Sequence, residues 1–325
     1  MIEILYNDGK ETREMPIEEL KKIHPVASGI LWVDLYAPTP EETRKVLLDL
    51  FKFHPLTVED CQVFVDHPKI DDYDTYLFGV FHSLVYHEED SRVATWEVDF
   101  FVGKNFIVTN HLKPVPFIPE LKKKFRNNYP HFLKGTDFIV QHILDTMIDS
   151  YYPVLSSLRK KLNETEKEVF SLTEHDTIND IYRIKRNLSL MKRVLLPQIE
   201  VLSDILCFKH GYFSENSIAY FNDVINHAEK IRNKIKEYNE MGRDTLDAQL
   251  SISSYKMNDV IKRLTAIMTV FMPLTVITGI GGMSEWSMIT GTTNTNWIFS
   301  YLLFTLGLVL IGIGAYYILK KMKWI

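Results

Sequence analysis

The chain reads as an α+β protein: an α/β sandwich with added long helices, then a long stalk helix and a two-helix transmembrane hairpin. Three observations predict this class. Two uncharged runs, 264–284 and 297–319, lie near the C-terminal end, each long enough to cross a bilayer core as a helix. The first 134 residues mix β-branched and aromatic runs with short helical patterns. Beyond them the strand patterns stop and charge-laced helical patterns begin. The predicted organisation is a cytoplasmic α/β domain at 1–134 and a cytoplasmic long-helix region at 135–217. A stalk helix at 218–284 ends in the first span, 264–284. A loop at 285–296, a second span at 297–319 and a basic tail at 320–325 follow.

In chain order, 2–6, 30–35, 76–86, 93–102 and 106–109 read as strands, with Gly103-Lys104-Asn105 as a hairpin turn between the last two. Thr39 is placed to cap a helix running to about Phe53, with Glu42 in the reciprocal position of a capping box. Pro55 opens a short helix through Cys61. Residues 137–170 and 176–207 read as two long helices, in which Pro153 and Pro197 mark a first turn, a kink or a break. A third helix starts near Ile218. Its Val224, Ala228, Ile231, Ile235 and Tyr238 recur about every 3.5 residues, as in a coiled-coil seam. Gly242 weakens it by about 1 kcal/mol relative to Ala without forcing an end. Unbroken to Ser284, it would be about 100 Å long.

Charge orients the hairpin. The loop between the spans has no Lys or Arg, whereas Lys262 and Arg263 precede the first span and Lys320, Lys321 and Lys323 follow the second. The positive-inside rule then predicts both termini in the cytoplasm. Asn258, Ile261, Leu264, Met268, Met272, Thr275 and Gly279 fall three or four apart, on one face of the first span. Such a stripe gains little from lipid. It suits either a packed neighbouring helix or a water-filled lumen.

The net charge of −5 argues against a nucleic-acid partner, which calls for a basic face. The N-terminal stretch carries acids and no apolar core, so no cleaved signal peptide is expected. Cys61 and Cys207 fit no metal or redox spacing and suit a reducing cytoplasm. No phosphate-binding GxxxxGK[ST] run and no nucleophile–base pair is identifiable, so no catalytic residue is assigned. His82, His87, Glu88, Glu89 and Asp90 lack any fixed ligand spacing and read as a solvated strand-end turn. Lys122, Lys123, Lys124 and Arg126 read as a solvated helix face.

Several runs carry a family likeness: Asn258-Asp259-Val260, Phe271-Met272-Pro273-Leu274-Thr275, Gly282-Met283 and the terminal Lys-Lys-Met-Lys-Trp-Ile. In the soluble part they are joined by His54-Pro55-Leu56-Thr57-Val58-Glu59-Asp60, Lys185-Arg186-Asn187-Leu188 and Tyr220-Phe221-Asn222-Asp223-Val224. With these the sequence resembles the CorA family of divalent-cation channels, the two-transmembrane Gly-Met-Asn proteins. It departs at the outer mouth, where Ser284 stands for the family's Asn and Gly281 for the preceding Tyr.

The resemblance implies a passive channel in a plasma or inner membrane, formed by a homopentamer in the lipid bilayer. It implies that the first span lines the pore, with Ile261, Leu264 and Met272 as an apolar constriction and Asn258 as a polar ring at its inner end. Gly282, Met283, Ser284 and Glu285 would form the outer mouth, although Glu285 also reads as a solvated loop charge. Mg²⁺ would be both the transported and the regulatory cation, with Co²⁺ or Ni²⁺ as alternatives. Asp60 and Asp223 map onto an interfacial cation site, and Glu59 and Asp145 onto a neighbouring one. Carboxylates facing one another repel when empty and bind a hard divalent cation, so a cytosolic cation would hold the closed state. A shorter Ser hydroxyl in place of the Asn carboxamide predicts a weaker preference for hydrated Mg²⁺. Two other readings are a Zn²⁺ or other transition-metal transporter of the ZntB-like branch and a non-transporting pentameric scaffold.

Overall fold

The computed structural model of the chain describes residues 1–23, 28–89, 91–171, 177–205, 212–282 and 297–321. They fall into two compact units, Met1–Leu246 and Asp247–Ile325.

The first unit is built on strands β1 (Ile2–Asn7), β2 (Thr12–Glu14), β3 (Ile30–Tyr36), β4 (Lys69–Asp72), β5 (Leu77–His87), β6 (Arg92–Val102) and β7 (Phe106–His111). They form one sheet in the order β2-β1-β3-β7-β6-β5-β4. β3 and β7 run parallel, and every other neighbouring pair is antiparallel. Along β3, Ile30 and Trp32 enter the core on one face of the sheet, and Leu31, Val33 and Leu35 the core on the other. That alternation is the two-residue period of a strand. Burial on both faces is why this strand reads as a nearly unbroken apolar run.

Helices α1 (Ile17–Ile23) and α3 (Pro55–Asp60) belong with one core, and the short α2 (Pro40–Thr43) leads into a stretch whose Val46 and Leu47 join it. Helices α4 (Ile118–Arg126), α5 (Thr136–Asp149), α6 (Tyr151–Ser171), α7 (Thr177–Ile205) and the start of α8 (Glu215–Gly281) belong with the other. The result is the predicted sandwich. The Thr39–Glu42 capping box is present, with both reciprocal hydrogen bonds made. The helix expected to reach Phe53 instead winds as a π-helix over Arg44–Leu50. Val46 and Leu47 are buried in that winding, and periodicity over so short a stretch does not separate it from an α-helix.

The helix expected over 137–170 is two helices, broken at Ser150. Pro153 explains the break: it has no N–H to donate, and its ring crowds the carbonyl of Asp149 four residues earlier. Pro197 lies inside α7 without ending it. α8 runs 67 residues through Gly242 and Pro273. Its Phe221, Val224, Ala228, Ile231 and Ile235 are buried in the same core as α5, α6 and α7, so the coiled-coil-like seam is used within the chain. Asp137 ties α5 to the residues just before α8. Its Oδ2 accepts from the backbone N of Ser214 at 3.0 Å and from Ser214 Oγ at 2.7 Å.

Two expectations for charged groups change. Lys122 is no solvated charge: Nζ sits 2.6 Å from both Glu3 Oε2 and Asp34 Oδ2, with its side chain 11 % exposed. Arg126 also pairs with Glu3. Once α4 lies across the sheet, its basic side reaches acids on β1 and β3. His82 is buried, its Nε2 bonded to the carbonyl of Val65 at 2.8 Å, whereas His87, Glu88 and Glu89 are exposed at the strand end. Asp90 and Cys207 lie outside the described residues; Cys61 is a buried free thiol.

The second unit holds the C-terminal part of α8 and the helix α9 (Trp297–Lys321). Both are long and apolar enough to cross a membrane. A Cβ placed on Gly312 of α9 would lie 3.9 Å from Leu274 Cδ1 of α8. That is an ordinary contact distance, so α8 and α9 lie side by side at this level.

Candidate functional site

Two parts of the chain carry groups suited to a divalent cation. The first is formed by α5 and α8. Asp145 and Asp149 are one turn apart on α5, and Asp223 and His227 one turn apart on α8, so each pair shares a helix face. His227 Nδ1 lies 3.4 Å from Asp145 Oδ1 and 4.0 Å from Asp149 Oδ1, and His227 Nε2 lies 3.7 Å from Asp223 Oδ2. One ligand atom each from Asp145, Asp149 and His227 fall within 4.8 Å of one another.

Burial pushes the Asp145 carboxyl above its ordinary value, and the charge of Asp149 pushes it further. His227 opposes both, and Asp223 adds a smaller push upward. Asp145 Oδ1 and His227 Nδ1 are buried and neither has a hydrogen-bond partner. A cation between them would satisfy both atoms and relieve the repulsion among the acids. Carboxylates suit hard cations such as Mg²⁺, and the imidazole nitrogen adds affinity for Co²⁺, Ni²⁺ or Zn²⁺.

The sign of the Asp145 shift sets a pH dependence. A carboxyl raised on folding favours the folded state below its unfolded value, and that contribution is lost as pH rises through its folded value. A bound cation displaces the proton, so its stabilising effect should grow with pH. Thermal unfolding of the full chain should show little Co²⁺- or Mg²⁺-induced rise in Tm at pH 4 and a clear rise at pH 7.5. His227→Ala should reduce the Co²⁺ effect more than the Mg²⁺ effect. A cation effect that is flat with pH would remove Asp145 from the site.

Asp145 and Asp223 of the expected regulatory set are thus brought to one cluster within the chain. Glu59 and Asp60 are placed elsewhere, at the C-terminal end of α3. Glu59 is exposed, and Asp60 is paired with Lys69 at 2.7 Å. Among the described residues no ion pair or hydrogen bond joins them to Asp145 or Asp223. Sequence reasoning missed Asp149 and His227. The signal available was the four-residue spacing of Asp145 to Asp149 and of Asp223 to His227.

The second part is the face of α8 in the other unit. Asn258, Ile261, Leu264, Met268, Met272, Thr275 and Gly279 are all exposed. Ala266 is buried, and Val270, Leu274 and Ile277 are partly buried. At 100° per residue, these four lie on the opposite side of the helix, the side from which Leu274 meets α9. A Cβ on Gly279 would meet nothing within 4 Å in the chain, so packing inside the chain does not demand glycine there. Pro273 gives no N–H to the carbonyl of Thr269, yet the helix continues through it. Gly282 closes the helix, its N donating to the carbonyl of Thr278 at 2.9 Å. Met283, Ser284 and Glu285 of the expected mouth lie outside the described residues.

A family model described as CorA-like Mg²⁺ transporter protein matches residues 27–321. The chain belongs to the CorA-like Mg²⁺ transporter family. It is 33 % identical over 253 residues to YfjQ of Bacillus subtilis, covering 78 % of each chain. It is 26 % identical over 327 residues to the cobalt/magnesium transport protein CorA of Thermotoga maritima, covering all of this chain and 92 % of that one. The complete structure of the CorA magnesium transporter from Methanocaldococcus jannaschii matches its fold with a TM-score of 0.84 at 21 % identity, over 100 % of this chain and 99 % of that one. This CorA-like family is one of transporters and not of enzymes, in keeping with the lack of an assignable nucleophile–base pair.

Proposed function

We propose that the chain is a passive channel for divalent cations, Mg²⁺ or Co²⁺, with α8 and α9 crossing the membrane and both termini in the cytoplasm. The observation that carries this reading is the stripe from Asn258 to Gly279, exposed on α8 opposite the side that meets α9. Relatives of similar length are named as cobalt/magnesium transport proteins, which supports the choice of cation.

In this reading five copies surround an axis, and each turns its stripe inward. Ile261, Leu264 and Met272 then form apolar rings that close the path by dewetting, with Asn258 as a polar ring below them. The spans lack an acid between 264 and 284, which suits Mg²⁺, an ion that keeps much of its water and needs no dedicated cage. The membrane potential suffices as a driving force, at about 4.6 kcal/mol per divalent ion per 100 mV. Cytosolic cation at the Asp145–Asp149–His227–Asp223 cluster, with Glu59 and Asp60 of a neighbouring copy, favours the closed state. Its departure leaves like charges facing one another and loosens that state.

The test is uptake into liposomes holding the purified full-length protein, under an inside-negative potential, with Mg²⁺, Co²⁺, Ni²⁺ and Zn²⁺ offered one at a time. Saturable Mg²⁺ and Co²⁺ uptake is expected, with Co²⁺ competing on comparable terms. Ser284→Asn should shift the preference toward Mg²⁺. Uptake of none of the four would overturn the reading, and uptake of Zn²⁺ alone would move the chain to the transition-metal reading.

A further inference from the structure

The Lys185-Arg186-Asn187-Leu188 run has no part in the cation path, yet the structure gives it a defined place. Asn187 is 7 % exposed and clamps the tip of the β5–β6 hairpin onto α7. Its Oδ1 accepts from the backbone N of Val93 at 3.2 Å, and its Nδ2 donates to the carbonyl of Ser91 at 2.6 Å. The clamp holds Arg92 of the hairpin against the side of α7 that carries Arg183, Arg186 and Arg193. These four arginines line one groove of about 850 Å³ between hairpin and helix.

The groove is unusually one-sided in charge. Between residues 181 and 199, α7 carries Arg183, Lys185, Arg186, Lys192 and Arg193 and no acid, in a chain whose net charge is −5. Among the described residues, Arg92, Arg186 and Arg193 make no ion pair or hydrogen bond, and Arg183 reaches only Asp180, at 3.9 Å. Glu89 is the one acid among the described residues lining the groove. Guanidinium groups held together by a buried clamp, outnumbering the single acid among the described lining residues four to one, form a field that attracts an anion from outside. Arginine also presents a planar fork that matches phosphate oxygens two at a time.

We propose that this groove binds an anion bearing several phosphates. Arg183 and Arg193 are about 15 Å apart along the helix, too far for one phosphate to bridge and suited to linked or multiple phosphates. Two sources share that chemistry: a soluble polyphosphate or nucleotide, and the headgroup of a multiply phosphorylated lipid. The inference is independent of ion permeation.

The test uses the full-length protein in phosphatidylcholine nanodiscs, in metal-free buffer so that chelation from the Asp145 cluster does not contribute. Inorganic tripolyphosphate is titrated by calorimetry, and dioctanoyl phosphatidylinositol bisphosphate is the second probe. Saturable binding is expected for at least one, weakened about tenfold or more by Arg186→Ala with Arg193→Ala, and also weakened by Arg92→Ala on the opposite wall. Lys45→Ala, outside both α7 and the groove lining, should leave affinity unchanged. Binding of the lipid analogue alone supports the site and assigns it to headgroups; binding of tripolyphosphate alone assigns it to soluble anions. No saturable binding of either, affinity unchanged in the arginine variants, or equal affinity for sulfate would overturn the proposal.

Discussion

Met272→Lys should reduce divalent-cation uptake at least about 100-fold. In the proposed pore, one lysine per subunit at one height around the axis would put several positive charges in the path of a doubly charged ion, away from bulk screening. Met272→Gln separates charge from volume. It is close in size to methionine but polar, so it should wet the ring and raise uptake. Assembly of both variants is checked by size-exclusion chromatography, because a lysine within a span also costs about 2.5–3.5 kcal/mol to insert. Normal uptake by a correctly assembled Met272→Lys would place this residue outside the path.

A comparably large effect, on stability, is expected at Lys122. Its Nζ is the shared partner of Glu3 and Asp34, and both carboxylates are buried. Burial alone would push the Asp34 carboxyl up, but His111 and Lys122 outweigh it and hold it below its ordinary value. Lys122→Met keeps much of the apolar stem and removes the charge. It should cost about 3–5 kcal/mol, as breaking one side of a buried pair does, a large share of the roughly 5–15 kcal/mol typical of a domain. The sign with pH follows from Asp34. A carboxyl lowered on folding contributes stability above its unfolded value and loses it as pH falls through the folded one. The cost of Lys122→Met should therefore shrink as pH falls through the carboxylate range. Urea unfolding of both proteins at neutral and acid pH measures this, and a cost below about 0.5 kcal/mol at neutral pH, the scale of an ordinary surface substitution, would contradict it.

The pattern of what was legible follows from what sequence can carry. β3, β5, β6 and β7 were visible because interior strands bury β-branched and aromatic residues in runs. β2 and β4, with the sequences Thr-Arg-Glu and Lys-Ile-Asp-Asp, were not. They are the two edges of the sheet, where charge guards against pairing with other chains and hides the strand. The α8 seam was legible because helical periodicity is local. The roles of Lys122 and His227 were not, because each depends on residues more than eighty positions away: Asp34 and Glu3 for the one, Asp145 on the facing helix for His227. Local charge patterning makes any such group look solvated.

If the Asn258–Gly279 stripe lines a water-filled path for divalent cations, as proposed, water-soluble reagents reach it while ions move. Thiol accessibility during transport tests it most directly, in a background with Cys61 and Cys207 replaced. Single cysteines at Met272, Thr275 and Gly279 should react with a water-soluble thiol reagent, and the reaction should stop uptake. Cysteines at Val270 and Ile277, on the side turned toward α9, should react slowly and leave uptake intact. Fast reaction and block at Val270 and Ile277, with Met272, Thr275 and Gly279 inert, would put the path on the other face of α8.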